Sequence, residues 1–396
     1  MNHQNRKQFI QNLGLAAASA LTFGGRARAA STPPVGPAAA GGKPAAKPDS
    51  AVPSYLRGYE PLFRENPRAA AVEWHRNAKW GMFIHYALES LRGLTAAGVA
   101  AKKAEPGDEW KRFKAGGEVD YQALRDRFTA EKFDADFITD LALSAEMRYI
   151  NFTTRHRGEL SMFRTRVSDF TSLNSPAKRD LVAELAVQCE KKGLGLFMYC
   201  PPDVARTEPQ EMFERNCTIV RELLTQYGPV AGIWLDGIGS YYNEPAAYRR
   251  IDELYALIRS LQPQCLISFK QGTGTEDFVA PEGLMHAKKD AIAQKAWALN
   301  AGKRGDICTN MQTSPPSWLY LDGCDHIDAD ETLGLLADAF AQKANLTLNT
   351  GPLPDGSIHP ADVAALLQAG VRIRRHGFPA PALMDRTKRK KMKKVK

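Results

Sequence analysis

From about residue 80 the chain returns seven times to one unit: a short apolar run, a polar loop and an amphipathic stretch of helical period. The runs are Trp80–His85, Met147–Thr154, Leu194–Tyr199, Val230–Asp236, Cys265–Lys270, Asp306–Asn310 and Ala344–Asn349. Between them Phe133, Phe137, Ile138, Leu141 and Ala142 share one helical face, as do Leu181, Val182, Leu185, Ala186 and Cys189. Strands separated by helices of this length pair in parallel, because parallel neighbours need a crossover where antiparallel ones need only a turn. Seven runs over about 270 residues predict an α/β fold, a (β/α) TIM-like barrel, regular or irregular, forming a single catalytic domain over 54–378. A doubly wound sheet is the alternative.

What ends these runs points to function. They close on His85, on Arg155 and His156, and on Tyr199, Asp236, Lys270, Asn310 and Asn349. One polar residue at a strand end is ordinary, but a closed barrel brings all its strand ends to one mouth. That mouth would gather a carboxylate, two imidazoles, two cations and a phenol, which is the equipment of a site more than of a core.

Several chemistries are excluded. No P-loop, dinucleotide-binding glycine motif, GxSxG elbow or HExxH occurs, and Gln271–Thr275 lacks the spacing and lysine of a phosphate loop. The six cysteines form no CxxC pair and show no zinc-ligand spacing, so buried free thiols are expected over a disulfide framework. The formal charge of +9 suggests nucleic acid, yet four cations lie in residues 1–30 and eight in 386–396. The remaining 41 cations face 44 acids, so the body is not basic and no nucleic-acid partner is expected.

The ends have their own reading. Arg6-Lys7 before Phe9-Ile10, the apolar stretch Leu13 to Phe23 and Ala27-Arg28-Ala29 make residues 1–30 an export signal of twin-arginine type or an ordinary secretory one. The apolar stretch is too short to span a bilayer, so a periplasmic or secreted protein with no membrane span is expected. Residues 31–53 read as an Ala/Pro/Gly-rich linker and 379–396 as a solvated basic tail.

Asp236, with Trp234 two positions earlier on the same side of its strand, and the acids of the downstream loop Glu276 to Glu282 provide paired carboxylates beside aromatic walls. Such pairs hydrolyse glycosides: one attacks the anomeric carbon or directs water, and the other protonates the leaving oxygen. Spacing alone does not choose Glu276 or Glu282.

At these residues the sequence resembles the α-L-fucosidases of glycoside hydrolase family 29, from about Trp74 to Ile358. Trp80-Gly81-Met82-Phe83-Ile84-His85 is similar to the family's first-strand motif, Thr153-Thr154-Arg155-His156 to its Thr-Lys-His-His motif, and Lys178-Arg179-Asp180 to its helix start. Tyr227-Gly228-Pro229 leading to Trp234-Leu235-Asp236-Gly237 resembles the nucleophile strand, and Asn345 to Pro352 with Asp355-Gly356 the last one. The resemblance implies a retaining mechanism with Asp236 as nucleophile. It also implies Glu282 as acid/base, at the end of Asp277-Phe278-Val279-Ala280-Pro281-Glu282, with Glu276 in reserve. Sugar-binding residues carry over as His85, Glu109, Trp110, His156, Arg157, Tyr199, Trp234 and Lys270, the last where members often have arginine.

Three features depart from the family. Arg157 replaces the second histidine, and a guanidinium cannot accept a hydrogen bond from a hydroxyl. Tyr86 stands where tryptophan is frequent, which would trim the aromatic wall. The chain stops soon after the barrel, so no C-terminal β-sandwich is expected. The expectation is a retaining exo-α-L-fucosidase acting on a fucosylated oligosaccharide or glycoconjugate without metal or organic cofactor. The alternatives are a glycosidase for another sugar and a non-catalytic carbohydrate-binding barrel; oligomeric state is left open.

Overall fold

The computed structural model describes residues 51–100, 119–156, 159–201, 209–237, 250–270, 272–283, 294 and 297–384. The segment read as an export signal, nearly all of the linker, and Glu109, Trp110 and Arg157 lie outside the described residues. In the compact unit Pro53–Lys396 the seven runs are seven strands: β1 (Trp80–Ile84), β2 (Tyr149–Thr153), β3 (Gly195–Tyr199), β4 (Gly232–Leu235), β5 (Leu266–Phe269), β6 (Gly305–Asn310) and β7 (Ala344–Thr350). They pair in parallel in the order β5-β4-β3-β2-β1-β7-β6, a curled sheet whose edges are β5 and β6.

An eighth stave fills the gap between those edges. Residues 277–283, which sequence reading leaves as an acidic loop, run extended between β5 and β6. On one side the Asp277 amide donates to the Ile267 carbonyl (2.8 Å) and the Ala280 amide to that of Lys270 (2.7 Å). On the other, the Asp306 amide donates to the Val279 carbonyl (2.7 Å), the Cys308 amide to that of Pro281 (3.0 Å) and the Gly283 amide to that of Cys308 (2.8 Å). Residue numbers advance together on both edges, so the stave is parallel to its neighbours and the ring closes.

Alternation along the strands then divides the molecule. Met82, Ile84, Ile150, Phe152, Leu196, Met198, Ile233 and Leu235 face outward and join one apolar core with the surrounding helices. The other set faces the lumen. The helix Pro67–Ala78, capped by Asn66, seals the lower end with Trp74, which stacks on Phe197 (6.2 Å between ring centroids), and His75, set against Phe278 (4.4 Å). Gly81 and Gly232 make room for this floor: a Cβ on either would come within 2.4 Å of the Tyr149 or Phe197 ring. Buried Asp306 ties it together, accepting from Tyr149 Oη (2.9 Å) and Thr347 Oγ1 (2.5 Å) and pairing with His75 Nε2 (3.1 Å).

Two motifs singled out in the sequence are architectural. Asp180 caps the helix Leu181–Lys192 through the Ala183 amide (2.9 Å) and accepts from Tyr227 Oη (2.8 Å), while Arg179 pairs with Glu184 and reaches the carbonyls of Ala130 (2.7 Å) and Phe133 (2.8 Å). Tyr86 belongs to no aromatic wall of the mouth. It follows His85 by one position and so points outward, fully buried between Phe128 and Phe133, with its hydroxyl donating to the Pro354 carbonyl (2.9 Å).

All six cysteines are free, and no helix among the described residues is long and apolar enough to cross a membrane. The start of the stretch read as a basic tail lies along the helix Ala329–Ala341, with the Met384 amide on Asp338 Oδ1 (2.9 Å) and the Ala382 amide on the Ala337 carbonyl (3.1 Å).

Removing the Asp306 carboxylate takes a hydrogen bond from each of three buried polar groups and leaves Tyr149 Oη and Thr347 Oγ1 bonded only to each other (3.0 Å). Asp306→Ala should lower the free energy of unfolding by about 3 kcal/mol or more, read from the urea midpoint. A midpoint equal to that of the unaltered protein would contradict this role.

Candidate active site

The lumen-facing residues at the upper strand ends converge on Asp236. Leaving β4 just after Trp234-Leu235, its side chain is 28% accessible. Oδ1 accepts from the Gly237 amide (2.7 Å) and Oδ2 from Tyr199 Oη (3.0 Å) at the end of β3. Lys270, one residue beyond β5, places Nζ 3.5 Å from Asp236 Oδ1 and 2.7 Å from Glu282 Oε1. Asp236 Oδ1 and Glu282 Oε1 therefore lie no further apart than these contacts laid end to end, about 6.2 Å, so the two acids face one another across a single ammonium.

Backbone strain accompanies this bridge. Lys270 has φ +44°, the left-handed region, which costs a non-glycine residue roughly 1–2 kcal/mol. The conformation is enforced from both sides, since its amide donates to the Leu235 carbonyl (3.1 Å) and its carbonyl accepts from Ala280 (2.7 Å). The bridging lysine is thus pinned between β4 and the eighth stave, the two elements that carry the two acids.

Electrostatics follow from the bridge. Burial by itself would raise the Asp236 carboxyl, but the Lys270 ammonium, the Gly237 amide and the Tyr199 hydroxyl together hold it down to about 2. Burial would lower the Lys270 ammonium; the two carboxylates outweigh it and raise it instead. Asp236 is consequently a carboxylate at any working pH.

His85 is neutral and directional. Burial, then the adjoining His156, push it down to about 3 against the opposing hydrogen bond to Asn349. The Asn349 amide nitrogen donates to Asn310 Oδ1 (2.8 Å) and to the Trp318 carbonyl (2.8 Å), which leaves its Oδ1 to accept from His85 Nδ1 (2.7 Å). With the proton on Nδ1, Nε2 is a bare acceptor.

Aromatic rings line the rest. Tyr199 stacks on Trp234 (5.4 Å, 25°), Phe83 lies edge-on to Trp234 (5.6 Å), and Trp318 packs beside His85 (5.0 Å). His156 meets His85 (5.7 Å) and Tyr199 (5.9 Å). The structure thus brings together Asp236, Glu282, Lys270, Tyr199, Trp234, His85 and His156. Sequence reasoning missed Trp318, which lies on a loop outside any run, and Glu89, which no periodicity marks.

Glu276 is placed differently. It is 1% exposed and accepts from the Thr273 amide (2.8 Å), Thr273 Oγ1 (2.8 Å), the Gly274 amide (2.9 Å) and Tyr255 Oη (2.6 Å). Burial would raise it, yet these donors, Tyr255 first, hold it below the usual carboxylate range. A carboxylate whose lone pairs are all taken is a brace for its own turn and has no proton to give.

One group of described residues resembles a metal-ligand set. His326, His359 and Asp362 bring donor atoms within 4.8 Å of one another. The arrangement is internally satisfied: Asp362 Oδ1 pairs with His326 Nδ1 (2.5 Å), Asp362 Oδ2 accepts from Thr350 (2.7 Å), and His359 Nδ1 accepts from the Ala361 amide (3.2 Å). The rings lie face to face at 3.9 Å and 9°. Imidazoles radiating from one ion do not stack in this way, so the group is a polar tie between the loop after β6 and the helix after β7.

Known proteins share this architecture. A family model described as Alpha-L-fucosidase matches residues 49–377. The chain belongs to the alpha-L-fucosidase family. A relative from Caenorhabditis elegans is 24% identical over 335 residues, 76% of this chain; the chain spans 64% of that relative's length. Human plasma alpha-L-fucosidase is 22% identical over 81% of this chain and 71% of its own. Among solved structures, Alpha-L-fucosidase isoenzyme 1 from Paenibacillus thiaminolyticus superposes with a TM-score of 0.64 at 22% identity, covering 81% of this chain and 80% of its own. A family 29 α-L-fucosidase from Bacteroides thetaiotaomicron, solved as a trapped covalent intermediate, gives 0.62 at 20% identity, over 79% and 76%. These likenesses establish the barrel as the shared fold.

Because Lys270 is the main cation opposing burial at Asp236, its removal should free the carboxyl to titrate higher. In Lys270→Met, Asp236 should rise from about 2 to at least the unfolded value of about 3.9, measured by carbon NMR of the labelled carboxyl. The depressed value also stabilises the fold above the unfolded value, an increment lost as pH falls through about 2, so the variant should lose stability at neutral pH. An unmoved titration would refute the bridge.

Proposed function

We propose that this protein is an exported, retaining exo-α-L-fucosidase that releases terminal α-L-fucose from fucosylated glycans. The observation that carries the reading is the single ammonium of Lys270 in contact with both Asp236 and Glu282, which holds two carboxyl groups side by side as a double displacement requires. Family membership supports the glycone, and the segment 1–30 supports export.

In the first step an Asp236 oxygen attacks C1 of the fucosyl unit while Glu282 gives its proton to the glycosidic oxygen. The C1–O bond breaks, the aglycone leaves as an alcohol, and a fucosyl ester of Asp236 remains. In the second step Glu282, now a carboxylate, takes a proton from water as the water oxygen attacks C1. The ester bond breaks, Asp236 regains its charge, and fucose is released with its configuration retained. Asp236 is suited to attack because it is ionised and aimed by Tyr199 and Gly237. Lys270, in reach of both groups, faces one anion at each step: the Asp236 carboxylate while Glu282 holds its proton, and the Glu282 carboxylate once Asp236 is esterified. His85 Nε2 accepts from a sugar hydroxyl, and Tyr199, Trp234 and Trp318 face the apolar C–H surface of the ring. The family resemblance also assigns Glu109, Trp110 and Arg157 to sugar binding; all three lie outside the described residues.

Two substitutions separate the carboxylate roles on an aryl α-L-fucoside. Asp236→Gly should lose about three orders of magnitude or more in turnover, and azide should restore product as β-L-fucosyl azide. Glu282→Ala with an activated leaving group should instead give α-L-fucosyl azide. Full activity in Asp236→Gly, or the same azide anomer from both variants, would overturn the assignment.

A further inference from the structure

The short turn Leu88–Leu91 after β1 buries a carboxylate that the mechanism above does not use. Glu89 is 5% exposed, and its Oε2 has no hydrogen-bond partner. Oε1 accepts a long hydrogen bond from Tyr121 Oη (3.3 Å) and lies 3.8 Å from His156 Nδ1. His156 Nδ1 is itself buried and unpartnered. A carboxylate taken out of water with half its lone pairs empty is costly, and so is a shielded imidazole nitrogen without a partner. The two groups lie side by side, Glu89 Oε1 nearest to Nδ1, and the imidazole ring touches His85 and Tyr199 in the wall of the catalytic mouth.

We propose that Glu89 is the positioning residue of His156: its carboxylate takes the imidazole's Nδ1–H and so presents Nε2 to the sugar as an acceptor. The assignment rests on the functional reading above. The chemistry of the pair fixes the direction of the bond, since an ionised carboxylate only accepts and Nδ1 must then carry the hydrogen. Burial would raise the Glu89 carboxyl, but contact with His156, and then the Tyr121 hydroxyl, bring it below its ordinary value. The gap of 3.8 Å is one that closes when a ligand draws the ring into place, as contacts in empty catalytic sites commonly do. His85 is held on the same principle by a different group, the Asn349 amide oxygen (2.7 Å). The mouth then offers two imidazole acceptors, one backed by an amide and one by a charge.

The test is a double-mutant cycle on an aryl α-L-fucoside with Glu89→Leu, His156→Ala and the pair. Glu89→Leu should lower kcat/KM about ten- to a hundredfold, the worth of one hydrogen bond to a charged group, and Glu89→Asp should restore part of it. In the His156→Ala background the Glu89→Leu change should cost nothing further, because its effect passes through the imidazole. The melting temperature of Glu89→Leu should equal or exceed that of the unaltered protein, since a half-satisfied buried charge has gone. Unchanged kcat/KM, losses that multiply across the cycle, or a loss matched by a lower melting temperature would each overturn the proposal. An unaltered protein that fails to hydrolyse the fucoside would defeat the functional reading alone; the cycle would then be read on binding of L-fucose by calorimetry, with the same expected non-additivity.

Discussion

Two carboxyl groups with oxygens within about 6.2 Å of each other would repel strongly if both were ionised in a partly desolvated cleft, and the rest of this site is arranged around the cation that makes their proximity tolerable. Lys270 reaches both. Its backbone is held in a left-handed conformation by hydrogen bonds to β4 and to the eighth stave, the same two elements that position Asp236 and Glu282. The strain, the charge balance and the spacing of the acids are therefore one constraint seen three ways. A lysine serves here where the family often has arginine, and a compact ammonium on a flexible stem can sit between two carboxylates without the planar approach a guanidinium demands.

Closure of the ring has the same origin. Seven strands leave an open edge, and the stave that fills it does so through backbone hydrogen bonds to β5 and β6 together with buried Phe278, Val279 and Ala280. Asp277 reinforces the seam by accepting from the Ile267 amide (2.8 Å) and pairing with Arg68 (2.5 Å). Without closure, Glu282 would stand at the rim of a half-open sheet. With it, Glu282 near the end of the stave and Asp236 just beyond β4 meet at Lys270. The floor below, organised by Asp306 and by aromatic rings packed over glycine positions, keeps this geometry rigid from beneath.

Much of this was legible in the sequence, for reasons that also mark where reading stops. The seven strands announce themselves because their outward faces need an apolar residue at every second position, and their inward ends betray the mouth by being polar. The eighth stave has no such pattern: its apolar run is only Phe278-Val279-Ala280, flanked by Asp277, Pro281 and Glu282, so it reads as a loop. Motif resemblance marked Lys178-Arg179-Asp180 as a helix start, and the structure adds that Asp180 caps that helix and Arg179 ties it to the Ala130 and Phe133 carbonyls. It also marked Tyr86 as part of an aromatic wall, which the alternation from His85 rules out. Glu276 and Glu282 are indistinguishable by spacing. Only the surrounding donors, abundant at Glu276 and at Glu282 a lysine shared with Asp236, distinguish the braced acid from the one proposed to react. Glu89 was invisible because a buried carboxylate in a four-residue turn has no sequence signature; its meaning lies in what stands 3.8 Å away.

The central claim is that Asp236 forms a covalent bond to the sugar. Incubating the protein with 2-deoxy-2-fluoro-α-L-fucosyl fluoride accumulates the glycosyl-enzyme, because fluorine at C2 slows its breakdown and fluoride departs without an acid. Peptide mass mapping should then place one fluorofucosyl group on Asp236. A label on any other residue, or steady turnover of an aryl fucoside by a protein that takes up no label, would contradict the account.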